Sequence, residues 1–363
     1  MNIVALVPSP DAIPVHWGWL RIFHLATFFL HLLCMNVMLG GSLIACFEVL
    51  GNPSAKPGEG EYRRTLFQHL PFAAAFAVNA GVAPLLFLQT LYGNLIYTSS
   101  ILMGAYWLSV IGALLIAYYG AYFLKYRYDA LGALRLFPAI LVPLLLLYIA
   151  FVFTSNMALM QQPAAWDAYF TNPGGTMLPV SDPTLPPRFF HFVTASVAVA
   201  GLFTAAFWSL GKRKATAAAE RHVRRGMRYY IGATWVQMAV GLWLLWKHPG
   251  PVRGLMLGGD PLVTALLVFG LLSGFAGIVL AWKRRVWATV WVTLASVGFM
   301  VGLREAVRTA YLAPYFTLDS IPVQPQYGPL AVFILALAAG AAAIIHMLRL
   351  NSGTSSGRMD TEP

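Results

Sequence analysis

Two tetrapeptides echo each other, Arg21-Ile22-Phe23-His24 and Arg188-Phe189-Phe190-His191, and each opens a long apolar segment. In each, a guanidinium and an imidazole stand about one helical turn apart. Ionisable side chains are costly inside such segments and mark a functional site by default. Neutral imidazole is a good nitrogen ligand for a metal, and guanidinium grips carboxylates with a fork of donors. Haem would satisfy both groups, with imidazole on iron and guanidinium on the propionates. On the first segment Arg21, His24, Phe28, His31 and Met35 form one helical stripe. His24 and His31 then lie two turns, about 10.5 Å, apart. The competing reading has these histidines bonded to neighbouring carbonyl or hydroxyl groups. Glu305 is the one acid expected inside a helix near the outer face, flanked by Arg304 and Arg308, and a local ion pair is the competing reading for it.

The elements that must position these groups follow from composition. The 363 residues are 59% hydrophobic and only 10% charged, with mean hydropathy +0.68. That is a multi-span membrane protein and not a soluble domain. Apolar stretches near the length of a membrane-crossing helix are expected at 19–48, 66–92, 101–124, 136–158, 189–211, 229–247, 261–282, 286–309 and 328–349. A polar turn around Gly93-Asn94 is expected between the second and third. The stretches 51–65, 125–135, 212–228 and 283–285 and the tail hold 18 of the 24 Lys and Arg. By the positive-inside rule these are cytoplasmic loops, the N-terminus is outside and the C-terminus is cytoplasmic. The net charge of +11 is therefore mostly topology and gives no reason to expect a nucleic-acid partner.

The echoed tetrapeptides suggest an internal duplication. Each is followed by a span, then a basic stretch (Tyr62-Arg63-Arg64 or His222-Val223-Arg224-Arg225), then a second span. Those second spans contain Asn79-Ala80-Gly81-Val82 and Gln237-Met238-Ala239-Val240-Gly241. The expected fold is an all-α integral membrane protein of nine transmembrane helices, two four-helix bundles plus one peripheral helix. An outer N-terminal segment (1–18) precedes the first membrane unit (19–158), an outer loop (159–187) and the second unit (188–309). An outer loop with the ninth helix (310–350) and a disordered cytoplasmic tail (351–363) complete the chain. The remaining histidines, His16, His69, His222, His248 and His346, are expected to be solvated near the boundaries, and Glu48 to be interfacial. Cys34 and Cys46 share the first span and read as small core residues. No Cys-x-x-Cys-His occurs, so no covalently attached c-type haem is expected.

Several of these residues resemble subunit I of the cytochrome bd quinol oxidase family. Arg21 and His31 are ten residues apart with Leu39-Gly40 following, as around that family's haem-ligating His on its first helix. Gly81-Val82-Ala83 runs to Gly93 with the family's spacing. Asn156 followed by Met160-Gln161-Gln162-Pro163 is similar to its Asn-Gly-Trp-Met-Gln-Asn-Pro. Arg188 to Ser196 is similar to its Lys-Phe-Val-His-Thr-Val-Ala-Ser, whose His ligates a low-spin haem b. Glu305-Ala306-Val307-Arg308-Thr309-Ala310-Tyr311 is similar to its Glu-x-Gly-Arg-Gln-Pro-Trp, whose Glu ligates a second haem.

The resemblance implies axial iron ligands at His31, His191 and Glu305, the tetrapeptide echo adds His24, and propionate contacts are expected from Arg21, Arg188 and Arg308. It implies one to three b-type haems and a quinone or quinol substrate. The departures are equally specific. No Asp or Glu lies between Glu61 and Asp129, where oxygen-reducing members carry glutamates. Leu266-Leu267-Val268 stands where the methionine partner of the low-spin haem belongs. The outer loop that binds quinol is cut to His248–Asp260. The expectation is a subunit of a quinone-linked oxidoreductase in the bacterial inner membrane. It would pass electrons between the quinone pool and an outer-side cytochrome c or other redox protein, beside further membrane subunits and without reducing oxygen. His24 is expected at the depth of His191, as the sixth ligand of its haem. A quinol-dependent oxygen reductase with an altered proton path and a haem-free transporter or anchor subunit are the alternatives.

Overall fold

The computed structural model describes residues 6–52, 60–211 and 216–356. Among them the regular structure is helical, apart from one bridge between Ile13 and Val323. Helix α1 (Trp17–Gly51) starts at His16, whose Nδ1 accepts the Gly18 amide at 3.1 Å. α2 (Glu61–Leu102) runs 42 residues and bends at Tyr92, where φ is −132° and ψ 30°. α3 (Gly104–Arg127) and α4 (Leu136–Met160) follow. α5 (Leu185–Trp208) opens with prolines, which carry no amide hydrogen to leave unpaired. α6 (Ala217–Lys247) leads to the short α7 (Gly250–Gly254) and a wide turn at 255–259. α8 (Pro261–Trp282), α9 (Val286–Leu312) and α10 (Tyr327–Ser356) complete the chain.

Eight of these helices, rather than the expected nine, are long and apolar enough to cross a membrane. The exception is α6, which holds the expected span 229–247. It has the length, at 31 residues, but Gln237, two tyrosines and three tryptophans make it less apolar than the others. The turn expected at Gly93-Asn94 is instead the bend at Tyr92. The helix resumes beyond it and breaks at Met103. The expected basic loops are shorter than their charge suggested, since helix begins at Glu61 and Ala217. The expected disordered tail is helical to Ser356. Residues 357–363, with 1–5, 53–59 and 212–215, lie outside the described residues.

Packing follows a repeated plan. α1 lies along α2 as α5 lies along α6, α3 pairs with α4 as α8 pairs with α9, and α1 meets α5 at the centre. Glycine permits the two closest approaches to another helix's backbone. A Cβ on Gly40 would fall 1.9 Å from the Ser196 carbonyl oxygen, and one on Gly226 would fall 2.5 Å from the Gly201 carbonyl oxygen. Such small-residue contacts are how helices approach in lipid, where no hydrophobic force draws them together. The perimeter is the inverse of a soluble protein, with Phe76, Leu108, Ile111, Tyr119 and Leu144 exposed. α10 stands at the edge, touching the rest through Leu330 and through Phe333 against Phe23 and Phe87.

Candidate functional site

His31 is held from one side. Its Nδ1 meets the Ala77 carbonyl of α2 at 3.0 Å, so that nitrogen carries the hydrogen. Among the described residues nothing is bonded to Nε2, whose lone pair is then available. The ring fills a notch at Gly81, where a Cβ would come within 2.8 Å of it. A hydrogen bond from one imidazole nitrogen to a carbonyl, leaving the other for a metal, is the usual way a protein orients such a ligand.

His191 is placed by α6 through its other nitrogen. Gln237 Oε1 accepts the Thr194 hydroxyl at 2.6 Å, which turns its Nε2 toward His191 Nε2 at 2.9 Å. Accepting from that amide leaves the hydrogen of the neutral ring on Nδ1, which is buried without a partner. A Cβ on Gly241 would approach the ring to 3.1 Å. His31 with Gly81 and His191 with Gly241 are each 50 residues apart, and the second pair lies 160 residues after the first. Ala200, which Gly40 touches, is also 160 residues on, and so is His222 from Tyr62, whose rings stack at 5.5 Å. The tetrapeptide echo, with its spacing of 167, is out of step with this packing.

Depth gives the same answer. α1 and α5 run in the same direction, with Gly40 against Ser196 and Ala200 and Ile44 packed with Ala200. At 1.5 Å per residue His191 is level with His31 to within about 3 Å, whereas His24 is about 13 Å further out. The expected equal depth of His24 and His191 is therefore corrected. Side-chain packing sets the register, and the sequence match had to guess it.

His24 belongs to a different cluster. Its Nδ1 meets the Pro84 carbonyl at 3.1 Å and its Nε2 meets Arg308 Nη1 at 3.3 Å, so both nitrogens are engaged. Glu305 Oε2 pairs with the same Arg308 Nη1 at 2.8 Å, while Oε1 accepts Tyr92 Oη–H at 2.8 Å and faces Arg21 Nε at 3.5 Å. Arg308 is 1% exposed, and its Nε and Nη2 have no hydrogen-bond partner. Arg304 lies instead over the Phe28 ring at 4.6 Å. Arg308, the partly exposed Arg21 and Arg304 thus set three cations near one buried carboxylate, an excess that a further acidic group would balance. Tyr92 was missed in the sequence, because a tyrosine 213 residues from its acid leaves no local signal.

Arg188 is held by uncharged groups, donating to Gln161 Oε1 at 3.4 Å and to Thr184 Oγ1 at 3.2 Å. Gln162 donates to Asp182 at 2.7 Å, and Asp182 caps the turn into α5 through the Thr184 amide at 2.8 Å. Asn156 bonds Ser99 and Ser100, both at 3.3 Å. His248, beside Lys247 at the end of α6, meets Tyr311 Oη at 2.9 Å. It is 7% exposed, and burial, with Arg188 nearby, lowers its pKa to about 4. At the other end Glu48, also buried, accepts Tyr229 Oη–H at 2.6 Å and pairs with Arg225, and His222 meets Glu61 at 3.2 Å. His248 and His222 are thus packed into the protein, not solvated as expected, and Glu48, near the end of α1, is buried against its partners. Partners from the other half of the chain bury Glu48 and His222, and Tyr311 of α9 covers His248.

No three His, Cys, Asp or Glu side chains converge on a common point among the described residues. The donors suit a group that brings most of its own ligands. His31 Nε2 and the free Arg308 donors fit haem, whose macrocycle leaves only axial positions to the protein, while the His191 lone pair is held by Gln237 Nε2–H and reaches iron when that amide gives way.

No protein-family model matches the chain, and no curated protein is similar to it in sequence. Among solved structures it is similar to a chain of the bd oxidase from Geobacillus thermodenitrificans, with a TM-score of 0.69 at 15% identity. The match covers 96% of this chain and 99% of that one. The two share a fold.

Proposed function

We propose that the chain is a divergent bd-like membrane cytochrome b, a subunit that moves electrons between the quinone pool and an outer-side redox partner without reducing oxygen. One observation carries the reading: within a bd-type fold, two imidazoles occupy equivalent glycine notches at one depth, His31 with its Nε2 lone pair free and His191 with its lone pair held by the Gln237 side-chain amide alone. Bound haem would supply one-electron transfer. The chain's part is binding and tuning. The Ala77 carbonyl fixes the His31 tautomer, and Gly81 and Gly241 leave room for the rings. Arg308 offers Nε and Nη2 to a propionate, and Arg21 and Arg188 add positive charge at the outer ends of α1 and α5. α6 would complete nine spans, with the cation-rich ends in the cytoplasm of a bacterium.

His31 is the favoured axial ligand beside His191. His24, with both nitrogens engaged, is better suited to orienting Arg308. Glu305 admits two roles, axial ligand or fixed counter-charge, and its three partners favour the second. An outer-side cytochrome c and further membrane subunits remain the proposed partners.

Oxygen chemistry is disfavoured by the absence of any carboxyl group from Tyr62 to Tyr128, most of α2 and all of α3. The test is the absorbance spectrum of the purified protein with pyridine haemochrome analysis. The proposal expects a Soret band and b-type haem, with oxygen uptake from reduced quinol well below about 10 per second, a typical enzyme turnover. A protein free of haem contradicts the cytochrome reading, and fast oxygen uptake contradicts the rest.

A further inference from the structure

The outer end of α2 carries a second feature that the haem site does not use. Where α2 bends at Tyr92, its outward side and the N-terminal segment enclose a groove of about 260 Å³ lined by Asp11, Ala12, Ile13, Leu86, Gln89, Thr90 and Tyr97. The outer wall is fixed in place. Asn94 Nδ2 donates to the Pro8 carbonyl at 2.9 Å. The Ile13 amide donates to Pro322 O at 2.9 Å and its carbonyl accepts the Gln324 amide at 2.9 Å. Thr90 is spent on the Leu86 carbonyl at 2.9 Å. Asp11, Gln89 and Tyr97 have no hydrogen-bond partner among the described residues.

We propose that this groove binds the headgroup of a membrane quinol or quinone, an inference that rests on the electron-transfer reading above and supplies its substrate site. Four observations select that occupant. The lining holds a carboxylate, an amide and a phenol but no cation, so it offers a quinol's hydroxyls and carbonyls partners while giving a lipid phosphate none. Leu86 and the exposed Val82 one turn along α2 continue the groove as an apolar track for an isoprenoid tail. The volume suits a ring rather than a whole lipid. Gln89 lies one turn from Tyr92, and Tyr92 bonds Glu305. The groove and the buried charges therefore both meet the same stretch of α2. Quinol oxidation there would break two O–H bonds and form two carbonyls. One proton would pass to the Asp11 carboxylate, one to outer water, and two electrons singly to ferric haem.

Photo-crosslinking with an azido-quinone, followed by peptide mapping, tests the site in the full-length protein. The inference expects label on 6–16 and 85–98, and a dissociation constant at least tenfold weaker in the Gln89→Leu/Tyr97→Phe double variant at unchanged haem content. Asp11→Asn should slow haem reduction by quinol at least tenfold. Label elsewhere, unchanged affinity in the double variant, or phospholipid that quinone fails to displace overturns it. Binding is read without haem, so a haem-free protein that still takes label in the groove sinks the cytochrome reading and leaves the site standing.

Discussion

Glu305 is where one side chain decides most about the site. Its carboxylate meets Arg308, Tyr92 and Arg21, and a group with that many donors is costly to uncharge. If it is a counter-charge, Glu305→Gln keeps every haem band and loses about 1–3 kcal/mol of stability, the scale of hydrogen bonds to charged groups. If it is an axial ligand, one haem disappears from the spectrum while the fold is retained. Spectra and thermal unfolding of this one variant separate the two. Arg308 should behave differently from Arg304. Leucine at 308 strips Glu305 and His24 of a shared partner, whereas Arg304 touches the Phe28 ring and no carboxylate.

The element that organises the molecule is the α1–α5 contact. Gly40 meets the Ser196 carbonyl closely enough that any Cβ must push the helices apart. Gly40→Leu should therefore abolish stable assembly, seen as aggregation on size-exclusion chromatography, whereas Gly112→Leu, with open space around it, should leave the elution profile unchanged. The helices themselves were legible in the chain, because twenty-residue apolar runs and cation-rich breaks are one-dimensional signals. His31, His191, Gly81 and Gly241 were all visible as residue types. Their common register was not, because an offset of 160 rather than 167 is decided by which side chains meet between helices. The kink at Tyr92 was hidden for a similar reason. Gly93-Asn94 reads as a turn, yet the backbone needs only one distorted residue before hydrogen bonding resumes. Tyr92–Glu305, His248–Tyr311 and Glu48–Tyr229 join residues 213, 63 and 181 positions apart, beyond any local pattern.

For the whole molecule, buried ionisable groups couple stability to pH. His248 is held neutral to about pH 4 in the folded chain, whereas an unfolded histidine takes up a proton near 6.5. The unfolded state thus binds more protons between those values, and stability falls as pH drops from about 6.5 toward 4. The loss amounts to roughly 3 kcal/mol at most. Thermal unfolding of wild type and His248→Asn between pH 7 and pH 4.5 checks this, the variant showing a shallower dependence. A slope unaltered in His248→Asn would assign the effect elsewhere.

The central claim is that His31 and His191 are equivalent haem ligands at one depth in a bd-type fold. Haem-to-protein ratio tests it most directly, measured by pyridine haemochrome on wild type, His31→Ala, His191→Ala and the double variant, each shown to be folded by size exclusion. The account predicts b-type haem in the wild type, at least one equivalent fewer in each single variant, and the lowest content in the double. A wild type without haem, or an unchanged ratio in His31→Ala and His191→Ala, would contradict it.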